Sequence, residues 1–383
     1  MALTILIDFT GFGLIIPLQP FWAQHLGANA QEIGFLVMIY ALAQFIFTPL
    51  LGSLSDRYGR KPIIVVSLLV EAVSLVLTAL ATSLPLLLLA RLIGGLGASN
   101  IGSAQAVVSD VTMPNERAKG MGLIGAAIGL GFVIGPALGG LLSPLGATVP
   151  FWLASGIALL NTILVLLFLP ETRQQHQAAA HPKGLSALVS GWENLRHTPA
   201  LLALIIVNLL YTIAFTAMET TFPLFTQHAF GWGASQNGYI FTYVGILVVI
   251  MQGGLVARLV KRWGEKSVLL IGLVLMAVGL STLAFSTQLI WIFVTLGLLS
   301  IGDGAITPTV STLLSFTGSA ETQGKTLGLA QGIGSLGRII GPYLAGSVYL
   351  LGGPTTPLLG GSILVALGAV QALPALSRMR KIE

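Results

Sequence analysis

No cysteine occurs among the 383 residues, which excludes disulfides, thiolate metal sites and cysteine nucleophiles together. Charge is nearly as scarce. Asp, Glu, Lys and Arg make up 8% of the chain, where a soluble domain carries about a quarter. Hydrophobic residues make up 55% and the mean hydropathy is +0.91, so the chain lacks the polar surface of a water-soluble enzyme. No Gly-x-x-x-x-Gly-Lys-Ser/Thr loop is present, which excludes ATP as the energy source. There is no His-Glu-x-x-His and no Gly-x-Ser-x-Gly, and the five histidines are expected in loops, so an intramembrane hydrolase has no constellation to work with. No cofactor and no metal site are expected.

What remains is apolar sequence. A span needs about 20 apolar residues, and twelve such runs lie near residues 3–22, 34–51, 63–81, 86–108, 119–142, 150–169, 200–226, 237–257, 267–285, 289–314, 326–350 and 357–375. The first run has no basic leader and no small-residue cleavage site, and it carries Asp8, Pro17 and Pro20. It is therefore read as a retained span.

A net charge of +5 suggests nucleic acid only until the bases are placed. Of the 18 Lys and Arg, 16 fall in alternate loops or at the C-terminal end, and the intervening loops have none. The positive-inside rule puts those loops and both termini in the cytoplasm of a bacterial-type inner membrane, with lipid as the partner and no nucleic acid. Trp22, Trp152, Trp232 and Trp291 fall near the opposite ends, where interfacial anchors belong.

Residues 170–199 form the one long connection. Leu185, Leu188, Val189, Trp192 and Leu195 recur there at helical spacing, which predicts a short amphipathic helix on the cytoplasmic face. The connection separates six-span bundles at 1–169 and 200–383, which resemble each other at an offset of about 205 residues. Leu26-Gly27-Ala28-Asn29 matches Trp232-Gly233-Ala234-Ser235, and Arg57-Tyr58-Gly59-Arg60-Lys61 matches Arg262-Trp263-Gly264-Glu265-Lys266. Gly135-Pro136 matches Gly341-Pro342. Parallel repeats of this kind belong to transporters that alternate access by rocking one half against the other.

Three motifs carry chemistry. Gly52, Asp56, Arg57, Gly59, Arg60 and Lys61 place one carboxylate among three bases at a membrane edge, where it can pair with a base or a helix N-terminus and release on a change of shape. Its second copy has Lys261 in place of Asp56. Gly131, Gly135, Gly139 and Gly140 line a helix at close-packing intervals, with Pro136 removing a backbone bond. Arg91 precedes Gly94, Gly95 and Gly97 in span 4, where a guanidinium needs a cavity or a counter-ion.

These motifs resemble motifs A, C and B of the major facilitator superfamily, and Asp8 through Pro17 resembles the first span of tetracycline-type efflux proteins. The resemblance covers all twelve spans and points to the twelve-span drug:proton antiporter branch. It implies an all-α membrane protein of two pseudo-symmetric six-helix bundles, acting as a monomer on a small molecule and protons.

Among the intramembrane ionisable groups, Asp8, Arg91 and Glu219 are the candidates for proton coupling, since desolvation disfavours a carboxylate's charged form. Asp303 and Arg338 lie at similar depth on consecutive spans and are expected to neutralise each other. Glu71 belongs to a helix peripheral in the family, and it is expected to be structural or half-exposed. Gln44, Asn100, Gln105, Asn208, Tyr211, Gln252 and Gln331 offer polar contacts to a cavity or simply hydrogen bonds between helices.

The residues leave two other readings open: a sugar or metabolite exporter or uniporter of the same fold, and a non-transporting receptor or lipid-handling scaffold. The topology has its own test. A reporter active only outside the cytoplasm should be silent when fused within 170–199 and active when fused within 143–149; the reverse pattern would overturn the orientation.

Overall fold

The structure is a computed structural model, and it describes residues 1–113, 116–172, 199–316 and 323–378. The described residues are helical almost throughout and contain no strand. The amphipathic helix expected within 170–199 lies outside them.

In the first half the helices are α1 (Ala2–Ile15), α2 (Gln19–His25), α3 (Ala30–Tyr58), α4 (Arg60–Ala79), α5 (Leu84–Gly97), α6 (Ile101–Val111), α7 (Arg117–Leu142) and α8 (Val149–Phe168). The second half has α9 (Pro199–Phe230), α10 (Ala234–Ile250), α11 (Val256–Trp263), α12 (Glu265–Ala284), α13 (Leu289–Phe316), α14 (Gln323–Gly352) and α15 (Thr356–Arg378). His25 and His228 lie on the last turns of α2 and α9 rather than in loops.

Ten helical stretches are long and apolar enough to cross a membrane, and an eleventh forms if α1 and α2, bent by 43°, count as one span. Pro17 and Pro20 sit at that bend. The expected span at 326–350 is the 30-residue helix α14, long enough to cross. Its glycines, Gln331 and Arg338 interrupt the apolar run. Span 8 is broken between α10 and α11 by a wide turn at Met251–Leu255, where Gly254 takes φ 140°.

Local sequence explains the junctions. Asn29 caps α3: its side chain accepts from Glu32 N at 3.0 Å while Glu32 accepts from Asn29 N at 2.8 Å. Gly59 ends α3 with φ 108°, and Gly264 ends α11 with φ 78°, a conformation that favours glycine at both copies of the repeat. The other pairing slips by two residues. Gly27 at φ 86° precedes α3 as Gly231 at φ 66°, rather than Gly233, precedes α10.

Close contacts divide the chain into two compact units. One holds α1–α8 together with Gly231–Gly245; the other holds α9 and the chain from Ile246. The start of α10 belongs to the first unit because it packs on α7. Ser235 donates to Gly140 O at 2.8 Å, and a Cβ on Gly140 would lie 2.9 Å from Ser235 O.

Within each unit the packing follows the same pattern. In the first, α1 packs on α7 and α8, and α4 on α5 and α8; in the second, α9 packs on α14 and α15, and α12 on α13 and α15. The repeat reaches single contacts: a Cβ on Gly135 would meet Thr10 O at 2.5 Å, and one on Gly341 would collide with Thr216. Core residues such as Leu14, Leu68 and Phe151 in the first unit, and Leu204, Leu273 and Met276 in the second, have almost no exposed surface.

Trp22 is not an interfacial anchor. It is buried, stacks on His25, tilts against Phe151 and donates from its ring nitrogen to Thr78 O at 3.0 Å. Trp152 and Trp291 are exposed, as their expected place requires.

The α1–α7 contact can be tested by adding one carbon. Gly135→Ala places a Cβ against backbone atoms of α1, including Leu14 N at 2.6 Å. Such overpacking costs about 1–3 kcal/mol. Gly125→Ala on the same helix meets nothing within 4 Å and gains helix propensity. In detergent, Gly135→Ala should melt below the unsubstituted protein and Gly125→Ala at or above it; equal melting of all three would rule out the close contact.

Candidate functional site

The ionisable residues of the spans gather into two clusters, one in each unit. In the first, Asp8 stands on the second turn of α1, half-buried, four residues before Phe12. The glycine face of α7 holds this turn in place. Cβ atoms on Gly131, Gly135 and Gly139 would sit 2.5–2.6 Å from Phe9, Thr10 and Leu14 of α1, so the two backbones touch where side chains usually intervene.

Glu71 on α4 is buried, and its carboxyl is a near neighbour of Asp8, each acting on the other electrostatically. Of the two expectations for Glu71, structural or half-exposed, its burial removes the second. Gly97 makes the placement possible, since a Cβ there would lie 2.7 Å from Glu71 N. Asn100 makes a long 3.5 Å contact to Asp8 Oδ2. Asp8 Oδ1 and Glu71 Oε2 are buried without a protein donor.

Arg91 is 4% exposed and reaches neither carboxyl directly. Its guanidinium donates to Gln19 Oε1 at 3.1 Å and Thr78 Oγ1 at 3.0 Å, and it lies 6.0 Å from the centre of the Tyr40 ring. It is close enough to Glu71 and Tyr40 to interact with them electrostatically. Gln44 donates to Ala98 O at 3.0 Å, tying α3 to the end of α5. Phe9, Phe12, Phe132 and Tyr40 pack ring on ring beside Asp8, with centroids 5.7–6.2 Å apart, and all four remain partly exposed.

The second cluster joins α9, α13 and α14. The expected Asp303–Arg338 ion pair does not form among the described residues. Asp303 is buried and accepts the hydroxyl hydrogen bond of Tyr211, whose oxygen also lies 3.0 Å from Thr307 Oγ1. Arg338 is exposed, and Glu219, half-buried two turns along α9 from Tyr211, interacts electrostatically with both Asp303 and Arg338. Asn208 donates to Ala330 O at 3.0 Å, between α9 and α14. Gln105, Gln252 and Gln331 are exposed and join neither cluster.

At the motif A edge, Asp56 on the last turn of α3 pairs with Arg60 on the first turn of α4 at 2.5 Å. Arg60 also reaches Ser55 and, on α6, Asp110, both at 3.3 Å. Glu171, just beyond α8, accepts from Arg60 N at 2.9 Å and Lys61 N at 3.2 Å, capping the start of α4. That carboxylate fills the space beside Gly59, where a Cβ would lie 2.5 Å from Glu171 Oε2. Lys61 Nζ donates to Leu166 O at 2.8 Å, Arg57 lies exposed over Tyr58, and Gly52 faces open space.

Sequence reasoning missed Asp110, Glu171, Gln19, Tyr40 and Thr78 as partners. Asp110 and Glu171 carry a usable signal, as acids at span ends on the same side as the basic loop.

A sequence model of the Major Facilitator Superfamily matches residues 1–264 and 253–381. Multidrug resistance protein 2 of Bacillus subtilis is 33% identical over 355 residues, covering 90% of this chain and 86% of the relative. The class B tetracycline resistance protein of Escherichia coli is 30% identical over 353 residues, with the same coverage. The solved structure of the human organic anion transporter MFSD10 superposes with a TM-score of 0.69 at 26% identity, covering 97% of each chain. Matched along nearly its whole length, the chain belongs to the Major Facilitator Superfamily and is a membrane transporter of small molecules, not an enzyme.

Proposed function

We propose that the chain exports small amphiphilic compounds, by alternating access, in exchange for protons entering the cell. The observation that carries this reading is a half-buried carboxyl, Asp8, in an apolar span and one turn from partly exposed aromatic rings. The rings offer flat apolar surface to a drug-like molecule, and the acid offers a proton site whose charge state changes what can sit beside it. The multidrug and tetracycline resistance names of two relatives support the same substrate class. Both termini and the basic loops face the cytoplasm of a bacterial inner membrane, and a single copy of the chain is the working unit. Residues 1–169 and 200–383 act as the moving halves, joined by 170–199.

In this reading Asp8 carries the proton of the first half. Arg91 is the nearby fixed positive charge, held by Gln19 and Thr78 rather than by Asp8. Glu219 is the acid of the second half, sharing its surroundings with Asp303 and Arg338. Asp56 and Arg60 form the motif A latch, with Asp110 as the second acid on the same guanidinium. Motif C fixes α1 against α7 while the halves move.

Ethidium accumulation in everted membrane vesicles tests the coupling. Asp8→Asn preserves shape and deletes the titration. It should abolish accumulation driven by a pH difference, while ethidium binding persists and loses its pH dependence. Continued pH-driven accumulation by the variant would move the proton to another residue, Glu219 first. A uniporter would ignore the gradient, and a receptor would bind without flux.

Asp56→Asn should act on rate. It removes a charge at a cytoplasmic contact, so turnover should slow while ethidium affinity changes by less than about tenfold, or ~1.4 kcal/mol. Unchanged turnover would leave the loop with a topogenic role only.

A further inference from the structure

Resting on that reading, we propose that Asp8 and Glu71 act as one proton-binding group, sharing a single proton between α1 and α4. Asn100, just past the end of α5, reaches Asp8, and Gly97, one turn earlier, lets the backbone of Glu71 approach. The two carboxyls thus share one apolar pocket, in which like charges repel and neither carboxylate has a hydrogen to donate to the other. One of them holds the proton at any moment. Each acid also has a buried oxygen with no protein donor, Asp8 Oδ1 and Glu71 Oε2, so nothing but a proton or water supplies what a doubly ionised pair would need.

The surroundings favour one proton over none or two. Besides the two acids, the titratable and charged groups facing the pair are Tyr40 from α3 and Arg91 from α5. The helices packed on α1 add no charge there: α8 has no ionisable residue, and α7 carries only Arg117 and Lys119, both in its first turn. With one proton, the pair's single negative charge balances the guanidinium of Arg91. With none, a net negative charge is left in an apolar interior, and with two, Arg91 is left without a balancing anion.

The two members differ in access. Asp8 is half-buried and Glu71 is 8% exposed. Asp8 is therefore the member that exchanges protons with water, and Glu71 holds the proton while Asp8 is ionised. Acids that interact this strongly titrate as a pair, so deleting either removes the property of both.

The test compares three variants in everted vesicles given ethidium on the outside: Asp8→Asn, Glu71→Gln and the double. If the pair is the unit, Glu71→Gln loses pH-driven accumulation as completely as Asp8→Asn, and the double variant is no worse than either within about threefold, as for residues that act together. Ethidium binding should persist in Glu71→Gln, which keeps the Asp8 carboxyl beside the aromatic rings. Full pH-driven accumulation by Glu71→Gln, with Asp8→Asn inactive, would overturn the shared proton and leave Asp8 as the carrier. Accumulation by Asp8→Asn would overturn both.

Infrared titration of the purified protein gives a second reading that needs neither transport nor the Glu71 variant. In Asp8→Asn, Glu71 remains in place. The protonated-carboxyl band of the pair should shift in position and in the pH at which it disappears if the proton was shared. A band lost at the same pH as in the unsubstituted protein would show that Glu71 titrates alone.

Discussion

The close approach of α7 to α1 is the contact on which the first half depends. Glycines at every fourth position of α7 let its backbone touch that of α1, and Phe9, Thr10 and Leu14 fill the space a side chain would occupy. Asp8 is one residue from that contact, so the same packing that joins the helices fixes the depth and direction of the acid. A neighbouring face of α7, at Gly140, receives Gly238 and Ser235 from the start of α10, again backbone to backbone. A helix packed in this way on two sides has little freedom to turn about its axis.

Low dielectric explains how the charges are arranged. In water an Arg or Glu needs no partner, but inside the spans each must be matched by hydrogen bonds or by opposite charge. The first unit does this through Gln19, Thr78, Asn100 and the contact between the two acids. The second relies on Tyr211 for Asp303 and leaves Arg338 exposed. The two units therefore share a packing plan but not a charge plan. The repeat constrains backbones through glycine and threonine, at Thr10–Gly135 and Thr216–Gly341, and leaves the ionisable side chains to diverge.

Much of this was legible in the sequence, and the parts that were not share a cause. Apolar runs, the glycine spacing of α7 and the turns at Gly59 and Gly264 depend on composition and backbone conformation, which the sequence carries directly. Pairing depends on rotation about each helix axis, which depth along a span does not fix. Asp303 and Arg338 match in depth yet do not meet, whereas Asp8 and Glu71, two spans apart, do. Trp22 shows the same limit: its position near a span end suits an interfacial ring, but its face turns inward to Thr78. Of the two partners open to the motif A acid, a base or a helix N-terminus, Asp56 takes a base, while Asp110 and Glu171 enter from elements that the motif's own residues do not reveal.

The Glu171 carboxylate has a mechanical meaning. It binds two backbone amides at the first turn of α4, and it is the second residue of the long 170–199 connection. A pull along that segment is thus delivered first to the α3–α4 corner at Gly59, where Asp56 and Arg60 also meet. The tether and the latch share one anchor point. A shorter or stiffer connecting segment would load the latch even if no residue of motif A were changed.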